Sequence, residues 1–334
     1  MRPFRYLRAP DAATAVQQAA APGTAYIGGG TCLVDLMKLD VQTPQLLIDI
    51  RRLQERGNTG EDVSDGPDGV RIAAGARNSD VARHPLIQRG YPALAEALLA
   101  GASPQIRNMA TVGGNLMQRT RCAYFRDVGV SACNKRAPGS GCAAQEGWSR
   151  MHAVLGGSDK CIAAHPSDMC VALVALDAVV HTRRQNDIRS ILAADLHVVP
   201  GEHPERETVL EAGELITHVV LPRTPFAAHS RYVKVRDRAA FAFALASAAV
   251  ALDRRADGVI KAARVALGGV ASKPWRCPEV EEALVGAHAR RETFERAAAL
   301  ALRTAHTTPD NAFKVTLGRR TIVRALERVA GVTG

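Results

Sequence analysis

Apolar positions in this chain fall into short runs of two kinds, one at helical spacing and one alternating at strand spacing, and the two interleave from end to end. "DAATAVQQAA" (11–20) predicts a short helix, which leads through "PGTAYIGGGT" to "CLVDLMKLDV" and then to the apolar strand "LLIDI" (46–50). "GNTGEDVSDGPDG" (57–69) predicts a Gly/Asp-rich turn region, "VRIAAG" (70–75) a strand and "PALAEALLA" (92–100) a helix. Residues 119–163 then break the pattern, with neither period. Regular structure resumes at "PSDMCVALVALDAVVHTR", a helix capped near Ser167 followed by a strand. After "LITHVVLP" (215–222) the character changes. "RYVKVR" and "VIKAARVALGGV" are strand-like, and the last forty residues are helical. The Ala-rich run 239–252 is ambiguous, because propensity favours a helix while its Phe/Ala and Val/Ala alternation permits a buried strand. These shifts divide the chain near residue 225. No internal repeat or low-complexity tail interrupts the pattern.

Composition narrows the class. The 334 residues are enough for two or three domains with real cores, and because aromatics are only 4%, Ala, Val and Leu must fill them. The opening "MRPFRYLRAPDAATAV" lacks an apolar stretch long enough for a secretory signal, and the most apolar run, 239–252, has 14 residues, too few to span a bilayer. The expectation is therefore a soluble chain with no export signal of its own, cytoplasmic unless a partner carries it elsewhere. The charge of +10 and pI near 9.6 raise nucleic acid as a partner. The basic residues, however, are scattered singly and in pairs without aromatic interleaving, so an anionic cofactor, an acidic partner or a plain solvated surface accounts for the sign instead.

Two glycine-rich turns are candidate chemistry: "YIGGGTCL" (26–33) and "TVGGNL" (111–116). Glycine permits positive φ, and successive amides can then converge on an anion. Neither loop matches G-x-G-x-x-G or the P-loop pattern, which disfavours both familiar nucleotide sites. Two such loops eighty residues apart, each with a Thr beside it, would suit the two phosphates of one extended dinucleotide, though most Gly-Gly turns are only turns.

The irregular segment holds the second candidate. Cys122, Cys133, Cys142 and Cys161 gather within forty residues, separated by ten, eight and eighteen positions. Four thiolates can hold zinc or a cubane iron–sulfur cluster, or form two disulfides. The C-x₂₋₄-C pairs usual for zinc and the C-x₂-C-x₂-C run of ferredoxins are both missing, so spacing leaves the choice open. The odd total of seven cysteines and the lack of a signal argue mildly against disulfides. Arg119, Arg121, Arg126, Lys135, Arg136, Arg150 and Lys160 crowd the same segment, against Asp127, Glu146 and Asp159. Cations of this kind would suit an anionic cluster or simply decorate a solvated loop. Gly139, Gly141 and Pro138 would let the loop bend tightly. Cys170, flanked by Met169 and Val171, is expected to be a buried small hydrophobe, and Cys32 and Cys277 to be structural.

Together "YIGGGTCLVDLMK", "IRNMATVGGNL", "HPSDM", "LPR" followed by "YVKVRDRAAFAFALAS", and "VALGGVASKPWR" resemble the FAD-binding medium subunit of xanthine oxidase-type molybdenum hydroxylases over nearly the whole chain, 1–330. The cysteine segment narrows the resemblance to the flavin subunit of bacterial three-subunit, periplasmic-type aldehyde oxidoreductases, which carries FAD and a [4Fe-4S] cluster. The resemblance implies an α+β fold: a two-lobed FAD-binding domain of the PCMH/CO-dehydrogenase flavoprotein type over 1–225 (lobes 1–55 and 56–225, with the Fe–S insert at about 119–163), and a smaller α+β domain over 226–334. It assigns Ala25, Tyr26, Ile27, Gly28, Gly29, Gly30, Thr31, Cys32 and Leu33 to one pyrophosphate loop and Thr111, Gly114 and Asn115 to the other. It puts Asp168, Ile216 and Lys234 near the flavin ring, and makes Cys122, Cys133, Cys142 and Cys161 the cluster ligands. Cys32 stands where Asn or Ser is commoner in the family, which leaves backbone contacts intact but puts any side-chain hydrogen bond in doubt.

The implied activity is electron transfer. A molybdenum-cofactor-binding large subunit would oxidise the aldehyde, a small [2Fe-2S] subunit would relay electrons, and this chain would pass them through FAD to an external acceptor in a heterotrimer, with no nucleic acid and no membrane insertion. A signal-bearing partner could carry the folded complex to the periplasm. Against this stand a zinc-stabilised non-catalytic or nucleic-acid-binding subunit and a stand-alone FAD oxidoreductase of the vanillyl-alcohol oxidase type.

Overall fold

The computed structural model describes residues 1–51, 53, 62–185 and 187–332. Three sheets organise them. The first is a parallel sheet of β1 (Arg5–Arg8), β2 (Thr24–Ile27) and β3 (Leu46–Asp49), in the order β1-β3-β2. The helix Ala12–Ala19 between β1 and β2 begins where the Asp11 carboxylate accepts the Thr14 amide at 2.8 Å. It buries Ala12, Ala15, Val16 and Ala19, a stripe at i, i+3, i+4 and i+7 that packs beside Ile48 and Leu215.

The second sheet is antiparallel, in the order β4-β5-β8-β6-β7, from β4 (Val63–Gly66), β5 (Gly69–Ala73), β6 (Val179–Arg183), β7 (Ile188–Leu192) and β8 (Leu215–Pro222). The expected turn at 57–69 is thus partly a strand: 63–66 pairs with β5 through a two-residue hairpin, and 57–61 lie outside the described residues. Helix Asp168–Ala175 starts at Ser167, whose side chain accepts the Cys170 amide, and all eight of its residues are buried. A helix apolar on every side needs cover on every side. It packs against helix Pro92–Ala100 and reaches the third sheet.

That third sheet, also antiparallel, has the order β12-β11-β10-β9 from β9 (Ser230–Val235), β10 (Ala246–Arg254), β11 (Ile260–Gly268) and β12 (Trp275–Arg276). The ambiguous run resolves as strand from Ala246 onward. Its alanines and valines are buried on both faces, and small side chains let helix Phe313–Ala330 lie close against one of them. The long helix stops at Gly331, in the left-handed region at φ 67°. Near its start Lys314 is fully buried and donates to the carbonyls of His152 (2.9 Å) and Gly269 (2.7 Å), tying the C-terminal unit to the cysteine-bearing segment. Burial lowers this ammonium to about 7.

Residues 119–163 are irregular, as their sequence predicts, apart from the short helix Ala123–Arg126. They are nevertheless pinned. Arg121 and Arg126 converge on Asp35 of helix Leu33–Lys38 at 2.9 and 2.6 Å, and Arg136 donates to the carbonyls of Tyr124 and Phe125. No helix among the described residues is long and apolar enough to cross a membrane.

Candidate functional site

A cavity of about 510 Å³ opens between the parallel sheet and the five-stranded one. Both glycine loops line it: Gly28, Gly29, Gly30, Thr31, Cys32 and Leu33 from the first, Thr111, Gly113 and Gly114 from the second, joined by Ala25, Tyr26 and Ile216. Each loop runs from an extended segment into the first turn of a short helix, and Thr111 caps the second by accepting the Gly114 amide at 3.1 Å. The loops touch. A Cβ on Gly29 would lie 1.8 Å from the Met109 carbonyl oxygen, and one on Gly28 would lie 2.8 Å from Thr111 Oγ1. Close approach, rather than backbone twist, explains most of these glycines. Positive φ, expected of both loops, occurs only at Gly30 (72°). Among the described residues, the amides of Gly29, Gly30, Thr31 and Cys32 donate to no protein acceptor. Unpaired amides on a cavity wall suit an anionic group.

Two of the residues assigned to these loops do not line the cavity. Ile27 ends β2, and the Asn115 carboxamide is occupied behind the loop, where Oδ1 accepts Ser167 Oγ at 2.7 Å and also Gln118 Nε2. That contact ties "TVGGNL" to "HPSDM".

Asp168 and Lys234 meet each other instead. Their ion pair spans 2.7 Å with side chains 8% and 3% exposed; Tyr232 Oη donates to the other Asp168 oxygen, and Lys234 Nζ also donates to the Ala100 carbonyl at 3.1 Å. Asp168 borders a second cavity of about 140 Å³ with Arg121, Cys122, Trp148, His152 and Phe243. Thr120, Ala164, His165 and Pro166 line both cavities. Lys234→Met strands a buried carboxylate and is expected to destabilise the fold by about 3–5 kcal/mol. Chemical denaturation checks this, and pairing the change with Asp168→Asn should recover most of the loss. An unchanged midpoint in the single variant would show that the pair carries no structural weight.

The four cysteines of the irregular segment line one small void, together with Phe125, Ala144 and Ala163. Local geometry presents each one. Cys133 and Cys142 face each other across a two-residue bridge closed by Asn134 N to Gly141 O (2.7 Å), with Gly139 and Gly141 at φ 86° and 95° making the turn. Cys161 sits on a second tight turn paired with Ser158, and Cys122 precedes the helix at Ala123. All four are free thiols. Burial pushes the Cys122 thiol up to about 11 and raises Cys161, the latter opposed by Lys135.

The spacing bears on what these thiols can hold. One tetrahedral zinc places its sulfurs about 3.8 Å apart, from Zn–S bonds of about 2.3 Å. Among the described residues, the four thiols supply no set of three with sulfurs all within 4.8 Å. Four thiols gathered on one pocket with no carboxylate in the lining are a donor set that fits an iron–sulfur cluster. His152 Nε2 lies 3.2 Å from Cys122 Sγ. The segment's cations are largely committed elsewhere, to Asp35, Glu207, Asp237 and main-chain carbonyls, so they brace the loop as much as they bias its contents.

His165, Cys170 and His197 do have ligand atoms within 4.8 Å of one another. His165 Nδ1, however, accepts the Ser167 amide at 3.3 Å, which leaves the proton on Nε2, and burial lifts the Cys170 thiol to about 12. Neither group is set up as a ligand. Cys170 is the buried helix residue its neighbours predict, and Cys277 is fully buried too.

Sequence reading missed the far wall of the larger cavity, formed by Arg119, Lys135, His165, His197, Arg206 and Glu207. Glu207 accepts from Arg119 and lies 3.2 Å from Lys135 Nζ. Burial works to raise its carboxyl, but the two cations outweigh this and hold it below the usual range. Lys135 and Arg119 stood out in the sequence only as part of a basic segment. Glu207, in "PERETV", had no local signal.

Residues 2–224 match the family described as the FAD binding domain in molybdopterin dehydrogenase, and 231–329 the CO dehydrogenase flavoprotein C-terminal domain. The chain is 48% identical over 329 residues to the aldehyde oxidoreductase FAD-binding subunit PaoB of Escherichia coli (strain K12), covering 98% of each. It is 27% identical to the glyceraldehyde dehydrogenase medium chain of Sulfolobus acidocaldarius, covering 85% of this chain and 81% of that one. The solved Cu,Mo-CO dehydrogenase in its cyanide-inactivated form includes a chain that superposes with TM-score 0.76 at 23% identity, covering all of both; at that identity the likeness speaks for the fold.

Proposed function

We propose a role that starts from one fact: this chain belongs to the FAD-binding subunits of the xanthine oxidase-family molybdenum hydroxylases. It is an oxidoreductase subunit that binds FAD and serves electron transfer. The more specific reading is the flavin subunit of an aldehyde oxidoreductase, working with a molybdenum-cofactor-binding large subunit and a [2Fe-2S] small subunit in a heterotrimer. The 48% identity to a subunit of that description supports it. The flavin domain would be 1–225 and the second domain 226–334.

The observation that carries the flavin site is the meeting of the two glycine loops, with the amides of Gly29 to Cys32 unpaired on the wall of the cavity. Those amides, with Thr31 and the Thr111–Gly114 turn, would hold the pyrophosphate, and Ile216 would border the ring system. FAD there joins one-electron relays to a two-electron acceptor. Cys122, Cys133, Cys142 and Cys161 would hold a [4Fe-4S] cluster. The convergence of four free thiols on one carboxylate-free void supports that assignment.

The test is what the purified chain does alone. It should show flavin bands with an added broad visible absorption from the cluster, and contain iron and sulfide. It should not oxidise aldehydes with dye acceptors, and adding the molybdenum and [2Fe-2S] subunits should restore that activity. Aldehyde turnover by this chain alone, free of molybdenum, would sink the subunit reading.

A further inference from the structure

The flavin cavity and the cysteine pocket share a wall. Lys135, Cys161 and Ala163 line both spaces. Of the three, only Lys135 carries a fixed charge. Its side chain is 8% exposed, and its ammonium is held by the Pro204 carbonyl at 2.6 Å and by Glu207 at 3.2 Å. Glu207 is also gripped by Arg119, whose guanidinium lies 4.7 Å from the centre of the Phe125 ring, itself part of the cysteine pocket. The three charges sum to one net positive, and Arg119 and Glu207 line the flavin cavity beside Lys135.

We propose that Lys135 is a shared positioning charge, raising the reduction potentials of both the flavin and the cluster from one place in their common wall. The inference rests on the four-thiol cluster reading above. Each electron taken up adds negative charge at its centre, which proton uptake at the flavin offsets only in part, so a fixed cation beside it favours the reduced form, and a buried charge is only weakly screened by salt. One residue touching both spaces therefore biases both potentials in the same direction. Its counter-charge, Glu207, biases both in the opposite direction.

The experiment is a spectroscopically monitored redox titration of the full chain, following flavin absorbance and cluster EPR separately, in wild type, Lys135→Met, Lys135→Arg and Glu207→Gln. The expected result is that both midpoints fall in Lys135→Met, stay near wild type in Lys135→Arg and rise in Glu207→Gln, with the shifts persisting at high salt. A shift confined to one centre, or none at either, overturns the shared role. Should Lys135→Met fail to hold a cofactor, Glu207→Gln still decides, because its predicted shift has the opposite sign. If wild-type protein contains no iron, the cluster reading itself fails, and that outcome is distinct because the flavin midpoint is still measured.

Discussion

Serine at any one of Cys122, Cys133, Cys142 or Cys161 is expected to abolish the proposed cluster, taking iron from about four atoms per chain to near none. Each thiol is one of four facing the same void, and serine cannot replace a thiolate on iron at neutral pH. Two controls sharpen the outcome. Cys170→Ser should retain full iron, since that thiol sits on a helix buried on all sides and burial holds it at about 12. Cys32→Ser is the harder control. Cys32 packs beside Cys122, Phe125 and Cys133, and it also lines the flavin cavity. It does not line the void, so it should keep both iron and flavin. Iron lost from Cys170→Ser but retained in Cys161→Ser would reverse the ligand assignment. Iron analysis reads each result, and near-UV circular dichroism confirms that the variants are folded.

How much of this was legible in the sequence depended on whether the signal was local. Asp11 and Ser167 announce their helices because a cap needs only its own first turn. The apolar runs at 46–50 and 70–75 announce strands for the same reason. The run 239–252 did not, because alanine suits a helix by propensity and a doubly covered strand by size; only the helices packed on β10 decide between them. The four cysteines were legible as a group, since their chemistry is unusual wherever they meet. Their grouping around one void was not, because it depends on turns at Gly139 and Gly141 and on Asp35, ninety residues upstream, holding Arg126. The wall residue Glu207 left no trace at all: a carboxylate in a polar loop looks like any other until the fold sets it between Arg119 and Lys135. Glycine gave the most misleading signal. It suggested left-handed backbone, whereas Gly28 and Gly29 are needed for closeness.

Gly29→Ala should abolish flavin retention, because a single methyl at this position collides with the Met109 carbonyl at 1.8 Å. Backbone cannot yield there without pulling the first loop away from the Ala110–Thr111 turn, and separating the loops dismantles the wall on which the unpaired amides sit. Gly30→Ala tests the other use of glycine. Its φ of 72° costs an L-residue roughly 1–2 kcal/mol, and its Cβ would meet only side chains, Val34 Cγ2 at 3.1 Å and Ile27 Cδ1 at 3.5 Å, so flavin affinity should fall about tenfold while the fold survives. Gly75→Ala is the control, since it lies on the same cavity with nothing within 4 Å of an added Cβ, and it should bind flavin nearly as wild type does. Flavin-to-protein absorbance ratios after gel filtration rank the three, and thermal melts separate lost binding from lost folding. Full flavin content in a folded Gly29→Ala would mean that the two loops need not touch, and the cavity between them would lose its claim to the pyrophosphate.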